Sequence, residues 1–183
     1  MSWTKSLFPA FLLAASALPA AAFELTSPNI VNGGPIAEKF TYKGFGCAGG
    51  DVSPALNWSD PPAGTKSFAL LLHDPDAQTG GAGFWHWLVY DIPATATGLP
   101  LGVSKDGKGL PEGAKQIVTD FGIPGYGGPC PPKGEPPHHY HFTVYALKTD
   151  KLDLPPNPTA SLAGFIINAS ALGKATLTAT YGR

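Results

Sequence analysis

Apolar and polar residues alternate over short stretches along most of this chain, and clusters of Gly, Pro and Asp cut the stretches apart. The runs Lys39 to Lys43, Ala55 to Trp58, Ser67 to Asp74, Phe84 to Ile92, Gln116 to Asp120, Tyr140 to Leu147 and Ala175 to Tyr181 read as β-strands. Their spacing predicts a mostly β protein, an antiparallel sandwich or barrel. One segment switches to a helical period. From Pro158 to about Leu172, residues Leu162, Phe165, Ile166, Ala169 and Leu172 form one apolar face, with Asn157 as cap, Pro158 in the first turn and Gly173 as the stop. Stretches at Gly44 to Gly50, Gly80 to Gly83 and Gly122 to Gly134 read as ordered loops, where missing side chains let backbone approach a ligand or another loop.

The N-terminus has its own pattern. Lys5 precedes an almost wholly apolar run from Leu7 to Leu18, and Pro19-Ala-Ala-Ala22 follows: a basic start, an apolar centre and a small-residue cleavage site. We expect residues 1–22 to be a secretory signal peptide and residues 23–183 to be a single domain, periplasmic or secreted, with no transmembrane segment in the mature chain. In an oxidising compartment the two cysteines, Cys47 and Cys130, are expected to pair as a disulfide.

Composition narrows the partners. The 183 residues carry 12 Lys plus Arg against 13 Asp plus Glu, and only 14% are charged, which excludes a nucleic-acid-binding protein and a disordered acidic chain. Gly (23) and Pro (20) are abundant, but 43% apolar and 11% aromatic residues supply a core.

The candidate chemistry lies in the five histidines, which fall in two places: His73 and His86, then His138, His139 and His141. Strand alternation puts Phe68, Leu70, Leu72 and Asp74 on one face, Phe84, His86, Leu88, Tyr90 and Ile92 on another, and His138, Tyr140, Phe142 and Val144 on a third. If the first two strands pair antiparallel, Asp74, His86, His138 and Tyr140 line one pocket at an end of the sandwich. Two imidazoles, a phenol and Gly-rich backbone suit a small anion, especially phosphate. The plainer alternative is that Asp74 and Asp76 cap the Asp-Pro-Asp-Ala turn and the histidines are structural. Trp85 and Trp87 are expected together on the opposite strand face as packing. His139 and His141 are too weak a pattern for a metal site. The formal G-x-G-x-x-G at Gly44 to Gly49 is not followed by a helix start, and no G-x-S-x-G or P-loop occurs, so we expect neither cofactor nor catalytic nucleophile.

Asp74-Pro-Asp76-Ala77, Trp85-His86-Trp87, Gly128-Pro129-Cys-Pro-Pro132, His138-His139-Tyr140 and Ser53-Pro-Ala-Leu-Asn-Trp58 together resemble the phosphatidylethanolamine-binding protein (PEBP) family, in its bacterial Raf-kinase-inhibitor-like branch. The resemblance implies a β-sandwich of antiparallel sheets with one or two short helices. It implies a small pocket for phosphate or phospholipid headgroups, and no settled reaction. Its ligand residues would be Asp74, His86, His138 and Tyr140, with Asp76 and the loop from Gly128 and Pro129 to Pro132 on the rim. Gln78 stands where the family often has Pro, and His139 where it usually has Arg. The end at Tyr181-Gly-Arg183, without the extra C-terminal helix of eukaryotic members, implies an open site. The expected function is binding of a small phosphorylated or anionic ligand, with a protein partner as a further expectation. The alternatives are a hydrolase or lyase acting on a phosphorylated compound through His86 or His138, and an inhibitor of a protease or kinase.

Overall fold

The computed structural model describes Met1 and residues 22–183, so the expected signal peptide lies almost wholly outside the described residues. Its strands are β1 (Glu24–Thr26), β2 (Lys43–Gly44), β3 (Cys47–Ala48), β4 (Leu56–Ser59), β5 (Ser67–Asp74), β6 (Phe84–Pro93), β7 (Gly98–Leu99), β8 (Lys115–Gln116), β9 (His138–Leu147) and β10 (Ala171–Tyr181). A single helix, α1 (Ala160–Ser170), precedes β10. All pairings between these strands are antiparallel, in sheets of order β10-β9-β5-β6-β8, β1-β4-β7 and β2-β3. Among the described residues no helix is long and apolar enough to cross a membrane.

β5 is the centre of the large sheet because it is apolar on both faces. Phe68, Leu70 and Leu72 join Trp87, Val89, Phe142 and Val144 in the core facing the small sheet, while Ala69 and Leu71 pack with Leu88, Ile117 and the helix on the other side. Each such buried Leu or Phe contributes on the order of 1.5 to 3 kcal/mol. The polar ends of β5 and β9, Asp74 and His138, emerge at one end of this sandwich.

Three local expectations are corrected. Residues 39–43 do not form a strand: Glu38–Phe40 is a 3-10 turn that drives Phe40 into the core, closed by the Thr41 N–H and hydroxyl on the Glu38 carbonyl. The strand expected over 116–120 is only Lys115–Gln116, with Val118 in an isolated bridge to Pro124. The helix is capped by Thr159, whose hydroxyl accepts the Leu162 N–H at 3.2 Å, and Asn157 lies before it at φ +51°.

The face of the helix is also corrected. Ala160, Ala163 and Ile167 are buried, whereas Leu162, Phe165 and Leu172 are exposed. Small residues allow α1 to lie close on the sheet, and Leu162 and Phe165 are turned away from it. Gly173 does not stop the helix. The chain enters β10 at Ala171, and Gly173 lies within that strand, where a Cβ would come within 2.8 Å of Pro62.

Candidate ligand-binding site

Asp74 ends β5 almost fully buried, and both carboxylate oxygens are used. Oδ1 accepts the backbone N–H groups of Asp76 (2.9 Å) and Ala77 (3.1 Å), closing the Asp-Pro-Asp-Ala turn. Oδ2 accepts from His138 Nδ1 at 2.8 Å. Turn capping and a place at the site, weighed as alternatives in the sequence, coincide in one residue.

The other ring nitrogen of His138 lies 3.1 Å from Glu135 Oε2. Burial opposes charge on this imidazole, but the hydrogen bonds to Asp74 and Glu135 outweigh it, and its pKa is raised. Carboxylate oxygens accept, so each ring nitrogen donates, and His138 is held between two carboxylates without a free nitrogen for a ligand. Glu135 was not among the expected site residues; it lies in the Pro-rich loop Pro131 to Pro137, where no strand period gives its direction.

His86 reaches the site through a β-bulge. Leu72 is opposite Trp87 and His73 is opposite Trp85, so His86 is an extra residue without a cross-strand partner. The bulge breaks the expected alternation. Phe84 and His86 face the cavity, Trp87, Val89 and Ile92 face the main core, and Leu88 and Tyr90 lie on the helix side. Trp85 and Trp87 consequently lie on opposite faces. Trp85 Nε1 donates to Ser161 on the helix, and Trp87 Nε1 donates to Gln116.

His86 Nδ1 donates to the Gly127 carbonyl at 2.8 Å, and the Gly127 N–H returns a bond to the His86 carbonyl. A carbonyl only accepts, so Nδ1 carries the proton and Nε2 is an acceptor. Burial pulls this histidine down to about 4, so the ring is neutral at physiological pH. Tyr140, wholly buried on β9, meets the His86 ring edge-on at 5.3 Å. Its hydroxyl has no hydrogen-bond partner, and burial raises its pKa well above the phenol range.

These groups line a cavity of about 220 Å³. Phe84 and Phe121 form one wall, their rings 4.9 Å apart edge to face, and Phe121 stacks on Tyr42 at 4.3 Å. Phe45, Gln78, Pro131 and Pro132 complete the rim. Phe45 is 70% exposed and holds φ +52°, a left-handed conformation that costs an ordinary residue roughly 1 to 2 kcal/mol. Two tethers fix it there. The Cys47–Cys130 disulfide joins its hairpin to the Pro131 loop, and Arg183 donates to the carbonyls of Phe45, Gly46 and Pro131.

Of the residues expected at the site, Asp74, His86, His138 and Tyr140 share this cavity. Gly128 and Pro129 do not line it. The Gly128 N–H donates to Asp51, the Pro129 carbonyl accepts from Tyr42, and a Cβ at Gly128 would collide with the Phe40 carbonyl; the next residues, Cys130 to Pro132, supply the rim instead. Asp76 lines an adjacent shallow depression, where its carboxylate accepts from the His139 ring and backbone, each at 2.7 Å. His73 packs tilted against Trp85 on the opposite face of the sheet, and His141 bonds to Thr178.

The structure is thus a mostly β protein of antiparallel sheets with an Asp–His–His–Tyr cavity at its strand ends. The chain belongs to the phosphatidylethanolamine-binding protein family, whose model matches residues 26–182. It is 50% identical over 163 residues to the UPF0098 protein YbcL of Escherichia coli, covering 88% of each chain. It is 39% identical over 157 residues to the "Putative lipoprotein LppC" of Mycobacterium tuberculosis, covering 86% of this chain and 71% of that one. The crystal structure of E. coli YbcL, a member of the mammalian PEBP family, superposes with a TM-score of 0.86 at 48% identity, over 89% of this chain and 99% of that one.

Proposed function

We propose that this protein is an exported binding protein whose cavity takes a small phosphorylated or otherwise anionic ligand, without transforming it, and that the loaded mouth is where a protein partner is met. The observation that carries this reading is the His86 ring, whose Nδ1 is held by the Gly127 carbonyl and whose other nitrogen has no partner in the protein, in the cavity that Asp74, His138 and Tyr140 also line. Export is supported by the N-terminal pattern, by the disulfide, and by the likeness to a relative whose name calls it a lipoprotein.

Asp74 orienting His138 resembles half of an acid–base dyad, which keeps a hydrolase reading in view. Glu135 weighs against it, because both ring nitrogens of His138 are already engaged. Isothermal titration with phosphate and phosphoethanolamine should give dissociation constants on the order of tens of micromolar to millimolar. A phosphatase, esterase and peptidase panel should give no activity that His86→Ala removes. Absence of anion binding between pH 5 and 8 by the folded protein, or an activity abolished in a folded His86→Ala variant, would overturn the reading.

A further inference from the structure

β10 is an outer strand of the large sheet, and its free side is covered over only part of its length. At one end the segment 32–36 lies along it. The Gly33 N–H donates to the Thr178 carbonyl at 2.7 Å and the Thr178 N–H to Asn32 Oδ1 at 2.9 Å, while the Thr180 N–H donates to the Gly34 carbonyl and the Thr180 carbonyl accepts from the Ile36 N–H. Thr178 and Thr180 therefore turn their backbone groups away from β9, and the period of two does the same for Thr176 and Lys174. Among the described residues nothing bonds the N–H or C=O of Lys174 and Thr176 on that side. A bare row of donors and acceptors is a template for another strand. It lies far from the cavity: Tyr181 pairs with His138 at the cavity end, and Lys174 pairs with Tyr145 roughly 23 Å back along the strand.

The side chains beside this row are of two kinds. On the core side a groove of about 310 Å³ lies between β10 and β1, with Phe23, Leu25 and Ala175 as its apolar lining and Glu24 as its one charge. On the other side Lys174 is exposed, its Nζ 5.9 Å over the Tyr145 ring and, among the described residues, without a carboxylate in salt-bridge reach. A second β10 laid antiparallel on the bare stretch would set Lys174 opposite or diagonally across from its own counterpart, where like charges repel. We infer that the edge of β10 from Lys174 to Thr176 takes an extended segment of a partner protein by strand addition, with an acidic residue opposite Lys174 and an apolar residue opposite Ala175. Backbone hydrogen bonds supply the affinity and the alternation supplies the selectivity. The apolar side chain enters the groove, where Glu24 repels an acidic one, and the carboxylate meets Lys174 on the outer face.

The test uses the acetylated, amidated peptide Thr-Val-Glu-Val-Thr on the isotope-labelled protein, followed by amide NMR and hydrogen exchange. In the free protein the N–H groups of Lys174 and Thr176 should exchange at least about tenfold faster than those of Ala175 and Leu177, which face β9. With peptide bound they should slow to match, and the residues of the cavity should not shift. A peptide with Lys in place of Glu should bind about fivefold more weakly, and Lys174→Glu should reverse that preference. A peptide N-methylated at its Glu should lose at least about tenfold, since that amide faces the β10 edge. Thr176→Pro, which removes a donor where an edge strand tolerates proline, should weaken binding likewise; if that variant does not fold, the methylated peptide decides. Slow exchange at Lys174 and Thr176 in the free monomer, equal binding of the methylated and plain peptides, or no binding by the folded protein at millimolar peptide overturns the inference. Protection of these two amides that grows with protein concentration, together with a dimer in sedimentation, also overturns it and assigns the edge to a second copy.

Discussion

His138 and Asp74, 64 positions apart in sequence, meet through a 2.8 Å hydrogen bond that joins the ends of β9 and β5. With Glu135 on its other nitrogen, His138 has a raised pKa, whereas His86, on the far side of the cavity, is buried neutral at about 4. The two imidazoles therefore act on stability in opposite pH ranges.

For His138 the folded pKa exceeds the unfolded value of about 6.5, so its contribution is complete below that value and is lost as pH rises through the folded one. For His86 the folded pKa is depressed, so its contribution is present above about 6.5 and is lost as pH falls towards about 4, by roughly 3 kcal/mol in full. Urea unfolding should show greatest stability near pH 6 to 7. Imidazole proton NMR should show His138 titrating above the ordinary range and His86 unchanged down to about pH 5. The alkaline decline should shrink in His138→Ala; an unchanged decline would place the responsible group elsewhere.

Tyr140→Phe should not destabilise the protein. Most core substitutions do, but this one removes a buried hydroxyl that has no partner and keeps the ring that packs against His86. The urea midpoint should stay level or rise, by up to about 1 kcal/mol in stability, while ligand affinity falls. A loss above about 1 kcal/mol would mean that the hydroxyl is satisfied within the fold.

Reducing the Cys47–Cys130 disulfide should lower the melting temperature substantially. It closes a sequence separation of 83 residues, for which the chain-entropy model gives about 4.5 kcal/mol, and each kcal/mol shifts a domain of this size by roughly 2 to 4 °C. A drop on the order of 10 °C is expected, with weaker ligand binding because the Phe45 hairpin is untied. Alkylation of the unreduced protein followed by intact-mass analysis should find no modified thiol.

Arg183→Ala should loosen the cavity wall without unfolding the sandwich. The side chain gives charge-assisted bonds to three carbonyls on the two rim loops, but the residue is exposed, so the loss should be about 1 kcal/mol. Hydrogen exchange should accelerate at Gly46, Cys47 and Ala48 and stay unchanged along β5; a uniform change would mean that the residue supports the fold as a whole.

Much of this architecture was legible in the residues. Ser67–Asp74 was readable as a strand because eight consecutive residues favour it and its ends are marked by polar groups. The expected pairing of Cys47 with Cys130 agrees with the structure, since export and an even cysteine count leave each one partner. Asp74, His138 and Tyr140 lie on the faces that strict alternation assigns them, because β5 and β9 run without a bulge between them.

Where a neighbour decides, the sequence was silent. Alternation grouped His86 with Leu88 and Tyr90, and only pairing with β5 inserts the bulge that returns His86 to the cavity side and parts Trp85 from Trp87. The helix stripe Leu162, Phe165 and Leu172 was more apolar than Ala160, Ala163 and Ile167, yet the smaller face is buried because close approach to the sheet outweighs side-chain size. Glu135 reaches His138 through a loop without a period. The sequence by itself determined the long strands β5, β6 and β9, the disulfide and the identity of the chemical groups, because these follow from local periodicity and composition. Tertiary structure decided that His86 keeps one nitrogen free while Asp74 and Glu135 hold both nitrogens of His138, because those follow from contacts between segments that only folding brings together.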